Sequence, residues 1–426
     1  MIKISVFFLI LIVAVYVLFA WRYGTPPVLK EKSDYAMFVS PPERTCGDLA
    51  KRSDITINDN ILLEGIGRRL TLDASLPDIP VYSPVFGARN REVRLILAKM
   101  NGGGEDTENA VELALAYFAR IQNSNGSWID SGRKYGNSGL VLLCFLGAGY
   151  HHKDGKYHEV VNKGLNFMLG NTAEAGSIKG ENHYTSAIAG MVFAEAYALT
   201  GDIRCKEAAG KILDYFARTQ GPEGGWDYGP YREDKDKYDT SVTGWVIMAF
   251  KSARMAGIPL PENVVDRYLE YARTITREDG LSTYNMIKGV PHKKRYTPTM
   301  TASTLMCRLY MGDGLNTPLM LKGIKHLTDR LKGKYIPRWS RKKYSMDCYF
   351  WYHAAQVAFL VGGDAWTKWN RMLKDMIVRH QVKNGADKGS WGNPEYFKWM
   401  RHNKGGYVYP TAMNTMTLQT YYRYYH

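Results

Sequence analysis

From about Asp106 to the last residue the chain alternates two hydropathy patterns. In the first, apolar residues recur at i, i+3, i+4 and i+7 with charges between them, which is the spacing of a helix with one buried stripe. It occupies residues 110–122, 159–169, 207–220, 263–275, 319–331 and 370–381. In the second pattern apolar residues point in every direction, as in a helix enclosed on all sides. It occupies residues 138–149, 186–201, 241–257, 300–312, 348–363 and 412–425. Interleaved in this way, the two kinds predict two concentric rings, with two-sided helices outside and apolar helices forming an inner barrel.

Turn markers keep the same beat. Gln122 with Gly126, Ser127 and Trp128 is echoed by Gly176–Ile178, Gln220 with Gly224–Trp226, Gly280–Tyr284, Trp339, and Gln381 with Gly389–Trp391. The marker positions 128, 178, 226, 284, 339 and 391 are 50, 48, 58, 55 and 52 residues apart. A tyrosine precedes each apolar helix (Tyr135, Tyr184, Tyr238, Tyr296, Tyr344 and Tyr409), and capping residue types follow it at Asn137, Thr185, Asp239, Thr299, Asp347 and Thr411. The turn residues have local work: Gln can bond the following turn, Gly permits close approach, and Trp stacks between repeats. An open solenoid is the alternative arrangement, but near-regular six-fold repetition with apolar inner helices favours an all-α, closed (α/α)6 toroid over residues 105–426.

The N-terminus follows different rules. Residues 4–21 are apolar apart from Ser5, just long enough at about 1.5 Å per residue to cross a bilayer core of about 30 Å. Leu18 stands where a cleavage site wants a small residue, and Trp21, Arg22 and Tyr23 resemble interfacial anchors. Residues 1–23 are therefore expected to be an uncleaved membrane anchor, with the bulk of the chain extracytoplasmic. Residues 24–104, rich in proline at Pro26, Pro27, Pro41, Pro42, Pro77, Pro80 and Pro84, read as linker and lead-in.

Charge sharpens this outline. The 426 residues carry 56 Lys+Arg against 41 Asp+Glu, a net of +15. Between Lys288 and Lys343 there are 14 basic residues and only Asp313 and Asp329 as acids, a net of +12. Such a block suits phosphate, acidic sugar or an anionic surface, or it is simply a solvated face; no nucleic acid partner is expected. Five scattered cysteines without a CxxC pair supply neither a disulfide framework nor a structural zinc site.

The Gln…Gly-Ser-Trp turns, carried best by Gln122–Trp128 and Gln220–Trp226, resemble the repeats of squalene–hopene cyclases and protein prenyltransferase β-subunits. Gln381–Trp391 keeps the ends with a longer spacing, and residues 183–261 are especially similar to bacterial cyclase-like repeat proteins. The resemblance implies the toroid and a terpenoid-type ligand, and it supplies two chemistry tests. Class II cyclases protonate an alkene with the middle acid of Asp-x-Asp-Asp-Thr; here Asp239 keeps the first position but Ser241 and Val242 replace the paired acids, so standard squalene cyclisation is not expected. Prenyltransferases hold zinc with Asp, Cys and His. Asp347, Cys348 and His353 have those types, but Cys348 and His353 point about 140° apart on a helix, so no metal is expected. No cofactor motif is present either.

What remains is the ring mouth, where six inner-helix N-termini gather and favour anions. Candidate catalytic residues there are His183, Tyr184, Tyr238, Asp239 and His353. Candidate ligand-binding residues are Tyr135, Tyr296, Tyr344, Tyr409, Trp245, Lys293, Lys294, Arg295 and Arg341. Three functions follow. The first is a membrane-anchored toroid holding an elongated, anionic lipid or isoprenoid in a central cavity lined by Trp245, Phe350, Trp351 and Tyr352. The second is an exported enzyme acting on acidic polysaccharide in lyase fashion, against which no pair of acids stands out for hydrolysis. The third is a non-catalytic scaffold.

Overall fold

The computed structural model describes residues 84–129, 134–314, 317–329, 339, 347–392 and 407–423. Two-sided stretches fold as α3 (Glu105–Ile121), α5 (His158–Gly170), α7 (Ile203–Thr219), α9 (Val264–Thr274), α11 (Pro318–Asp329) and α13 (Gly363–His380). Apolar stretches fold as α4 (Lys134–Gly147), α6 (His183–Thr200), α8 (Thr240–Met255), α10 (Pro298–Met311), α12 (Cys348–Val361) and α14 (Val408–Leu418). In α8 every residue from Thr240 to Ala253 is buried. In α7 burial is confined to a stripe of Cys205, Ala208, Ala209, Ile212, Leu213 and Phe216.

The apolar helices form a closed inner ring among the described residues: α4 packs on α6, α6 on α8, α8 on α10, α10 on α12, α12 on α14, and α14 back on α4. Outside them α13 meets α3. Residues 84–100, within the stretch the prolines mark as lead-in, hold two helices, α1 (Pro84–Gly87) and α2 (Arg91–Met100). α2 packs on α3, and the terminal helix α15 (Thr420–Arg423) packs on both α1 and α2. The expected anchor at residues 4–21 lies outside the described residues. Among those described, no helix is long and apolar enough to cross a membrane.

The turns do the joining. The Gln side-chain amide bridges its own turn and the next outer helix: Gln122 to the Gly126 and Val160 carbonyls (3.1 and 2.9 Å), and Gln220 to those of Gly224 and Val264 (2.8 and 3.1 Å). Gln381 reaches Gly389 (3.0 Å) and, around the ring, Ala110 (2.7 Å). Turn glycines adopt the left-handed backbone against the same neighbour. A Cβ on Gly126, Gly224 or Gly389 would stand 2.3, 2.0 or 2.0 Å from the carbonyl oxygen of Lys163, Arg267 or Leu113. Each Trp indole N–H ties back to its own outer helix, with Trp128, Trp226 and Trp391 donating to the Phe118, Phe216 and Ile377 carbonyls, while the Trp128 ring lies against Gly164 of the next outer helix.

A second tie runs inward. One hydroxyl near the start of an inner helix accepts the N–H of its turn: Ser138 from Trp128, Ser186 from Ile178, Thr243 from Trp226, Thr301 from Ser282 and Thr411 from Trp391, all at 2.9–3.2 Å. Thr411 is therefore a tie inside the helix, not a cap. The caps are Asn182, Asp239, Thr297 and Asp347, so Thr185 and Thr299 lie past the position expected of them.

The close approach predicts a contrast between two left-handed glycines. Gly389→Ala should lower stability by at least about 3 kcal/mol in denaturant titrations, because strain adds to collision with backbone. Gly385→Ala, with φ of 76° and nothing within 4 Å, should cost only about 1 kcal/mol. Equal losses would contradict the ring-closing role.

Candidate functional site

Two carboxyls sit at the inner-helix N-termini. Asp239 Oδ1 accepts the Ser241 and Val242 N–H groups (2.8 and 3.2 Å) and the Ser241 hydroxyl (2.5 Å). Asp347 accepts the Phe350 N–H (3.0 Å) on one oxygen and, on the other, the Thr299 hydroxyl from α10 (2.9 Å). Burial raises both carboxyls above the usual aspartate range against these hydrogen bonds, and for Asp239 the nearby Asp227 adds to the rise. The Tyr349 hydroxyl donates to the Ser241 carbonyl (3.4 Å), linking α12 to α8 across the mouth. Tyr184, Tyr349 and Tyr409 lie close enough to interact electrostatically. Tyr228, at the rim, meets Tyr284 and Ser241.

A small antiparallel sheet forms one rim: β1 (Lys237–Asp239), β2 (Asn285–Ile287) and β3 (Val290–Pro291). It is locked to α8, since Thr240 N–H donates to the Tyr284 carbonyl and Tyr284 N–H to the Arg295 carbonyl, both at 2.9 Å. The Arg295 guanidinium lies 5.3 Å from the Tyr284 ring centroid. Lys293, Lys294 and Arg295 are exposed. The basic segment is therefore joined through Tyr284 to the first residue of α8.

Below the mouth the ring is filled. Trp245 of α8 is fully buried and lies 5.5 Å from Tyr184 on α6 and 6.1–6.3 Å from Tyr349, Tyr352 and His353 on α12, centroid to centroid. These rings come from both sides of it, so Trp245 spans the barrel interior. The deep aromatic cavity expected from Trp245, Phe350, Trp351 and Tyr352 is thus corrected: Trp245 and Tyr352 stack on each other, Phe350 packs on Trp369 of α13, and Trp351 faces Trp339. Two small pockets, lined by Trp366, Trp369 and Tyr421 and by Ile324, Leu327 and Val361, each offer about 10 Å³, the room of one water.

The far end is closed by charge. Glu195 of α6, fully buried, takes Arg89 (2.7 Å) and Arg423 (2.9 Å). Arg423 also donates to the Leu143 carbonyl (2.6 Å), and Gln419 to Cys144 (2.7 Å). The paired arginines hold the Glu195 carboxylate below its ordinary range despite burial, whereas burial drives the neighbouring Lys251 ammonium well down. The Lys251 Nζ stands 3.8 Å from the Tyr310 ring centroid.

The remaining candidates are scattered. His183 is buried, with Nδ1 on the Asp227 carbonyl (2.8 Å) and Nε2 on the Tyr215 hydroxyl (3.1 Å). Tyr238 packs under Gly221 and Gly225 and accepts the Glu223 N–H (3.3 Å). Tyr135 stacks on Phe167 and bonds Asn171, while Tyr296 lies under Arg277. His353 Nδ1 donates to the Tyr349 carbonyl of its own helix (2.8 Å), which leaves Nε2 as a lone-pair acceptor. Tyr344 and Arg341 lie outside the described residues. Of the tyrosines expected at the mouth, Tyr184 and Tyr409 gather there. Tyr349 and Tyr228 were not expected at the mouth; Asp239 was, as a candidate catalytic residue, whereas Asp347 was expected there only as a cap. Among the described residues no group of three or more His, Cys, Asp or Glu is placed to hold a metal.

No protein-family model and no curated protein matches the chain. Solved structures do. The GH76A α-1,6-mannanase of Salegentibacter sp. aligns with a TM-score of 0.55 at 11% identity, covering 74% of this chain and 98% of that one. Unsaturated glucuronyl hydrolase from Streptococcus agalactiae gives 0.55 at 15% identity, over 75% and 93%. The type II terpene cyclase MstE from Scytonema gives 0.49 at 14%, over 74% and 98%. At these identities the likeness concerns the fold alone: an α/α toroid.

The buried histidines make stability depend on pH. Burial pushes His183 and His353 down to about 4 from 6.5. Between those values the unfolded chain binds the extra protons, so this contribution is complete above pH 6.5 and is lost as pH falls towards 4. Asp239 and Asp347, raised by burial, act in the opposite sense, so a difference measurement is needed. Relative to wild type, His353→Phe should gain about 2 kcal/mol between pH 7 and pH 5 in denaturant titrations. A difference that stays constant with pH would contradict a neutral His353.

Proposed function

We propose that the protein is an exported toroid, held at a membrane by residues 4–21, that binds an acidic oligosaccharide or polysaccharide across its mouth. The observation that carries this reading is the hydrogen-bonded path from Thr240 through Tyr284 to Arg295, which ties the segment bearing exposed Lys293, Lys294 and Arg295 to the start of α8. Cations on a rim and tyrosines within it suit carboxylated sugars, which need charge outside and hydrogen-bonding, aromatic surface inside. The filled barrel favours a ligand laid in a shallow bowl over one threaded through a tube. Burial raises the Asp239 carboxyl above the usual aspartate range, the direction that suits a group donating a proton to a glycosidic oxygen. Among the neighbours above a TM-score of 0.5, one is a mannanase also determined with mannotriose and another a glucuronyl hydrolase.

A second reading keeps an isoprenoid or lipid as ligand. It rests on the resemblance of the repeats and on the aromatic rings of Tyr184, Trp245 and Tyr349 beneath the mouth.

Calorimetric titration of the full chain separates the two. Tetramers of galacturonate, glucuronate or mannuronate should bind, with affinity falling at least about tenfold in the Lys293→Glu/Lys294→Glu/Arg295→Glu variant and weakening with salt. Asp239→Asn keeps a good cap, so it should fold normally and bind, yet lose at least about a hundredfold in any turnover. Binding of farnesyl or geranylgeranyl diphosphate with no response to the acidic tetramers would overturn the glycan reading in favour of the second. Silence with both sets would leave the scaffold.

A further inference from the structure

The floor of the bowl is built for a ligand's end. Trp245, Ser303 and His353 are each the sixth residue of α8, α10 and α12, so they lie at one level, about 8 Å below the helix starts. The Trp245 Nε1–H is a donor and the His353 Nε2 an acceptor; both are fully buried and neither has a hydrogen-bond partner among the described residues. Two such groups left unsatisfied in a packed interior cost free energy that an apolar pair would not. Ser303 adds a hydroxyl beside the Tyr349 phenol. The His353 ring is neutral at physiological pH, since burial lowers it to about 4. The floor thus offers one donor, one acceptor and one group that does either, with no net charge.

Hydroxyl groups of a neutral sugar face match that set. Carboxylates do not, because the acceptor lone pair of His353 would face them. Charge is recognised at the rim instead, on Lys293, Lys294 and Arg295. Above the floor, Tyr184 and Tyr349 are half-buried rings at the edge of Trp245 and cover it. Beyond Trp245 there is no continuation for a chain: Tyr352 stacks on its other side, and the Arg89–Glu195–Arg423 cluster closes the far end.

We propose that the mouth recognises the end of a glycan chain: the terminal sugar displaces the Tyr184 or Tyr349 ring and stands on Trp245, its hydroxyls donate to His353 Nε2 and accept from Trp245 Nε1, and the acidic units behind it lie along the basic rim. This rests on the glycan reading above and adds the direction of binding and the residues that set it. A bowl with a satisfied end-site cannot admit the middle of a polymer, so affinity counts chain ends and is indifferent to what lies beyond the rim.

The test compares tetramers and long chains of galacturonate, glucuronate and mannuronate, titrated into the full chain and into His353→Phe and Trp245→Phe. Both substitutions keep a ring in place while removing the orphaned polar atom, so folding is expected to be retained or improved. For the sugar that binds, affinity per chain should be the same for tetramer and polymer, and each variant should weaken it about tenfold, the size of one buried hydrogen bond. Affinity per chain that rises with chain length, or that is unchanged in both variants while the rim charge reversal still abolishes binding, overturns end recognition and leaves the glycan reading standing. If no acidic glycan binds wild type, both fall together.

Discussion

Ring closure depends on one contact made repeatedly and completed once around the whole chain. A glutamine amide leaves its own turn for a carbonyl of the next outer helix, beside a glycine whose missing Cβ lets the two backbones touch. In the last unit that contact runs from Gln381 to Ala110, 271 residues earlier, with Gly389 against Leu113. Every other unit adds a neighbour; this one joins the end to the beginning. It joins the packing of α14 on α4 and of α13 on α3 in closing the ring; without these contacts the same helices would stack as an open superhelix.

Closure brings consequences at both ends of the inner helices. At one end the helix starts converge, which collects Asp239, Asp347, Tyr349 and Tyr409 and sets the Tyr284–Arg295 segment beside them. At the other end the lead-in and the terminal helix are drawn in, because Arg89 and Arg423 share the Glu195 carboxylate. An isolated buried carboxylate would be prohibitive; here it is offset by two guanidinium groups and ties together segments 334 residues apart. Trp245 fills the space between. One indole, reaching from α8 to the α12 rings, occupies the centre of the inner ring.

The alternation of two-sided and apolar segments made the ring readable, because outer helices meet water on one face and inner helices on none. The glutamine and glycine roles were legible for a similar reason: a helix-end amide and a left-handed turn have few other uses. The cap positions were less so. Thr185, Thr299 and Thr411 look like caps in isolation, but hydroxyls inside a buried helix also serve to accept a turn N–H, as Thr411 does, or to donate to a neighbouring acid, as Thr299 does to Asp347. The site was harder still. His183 and Tyr238 have the residue types of chemistry, yet tertiary neighbours consume their polar atoms in turn packing. Asp239 and Asp347 have the residue types of caps, and only ring closure shows that Tyr349 stands between them. Nothing in a linear pattern reveals that Trp245 crosses the barrel, because that depends on which residues the opposite helix presents.

Where a glycan lies at the mouth is the decisive observation. A crystal structure of the full chain with the acidic tetramer that binds it most tightly is the direct measurement. The tetramer should be found along the segment from Tyr284 to Arg295, with one end over Trp245 and within hydrogen-bonding distance of His353. A tetramer bound on the outer helices, or one threading past a displaced Trp245 towards Glu195, would contradict it.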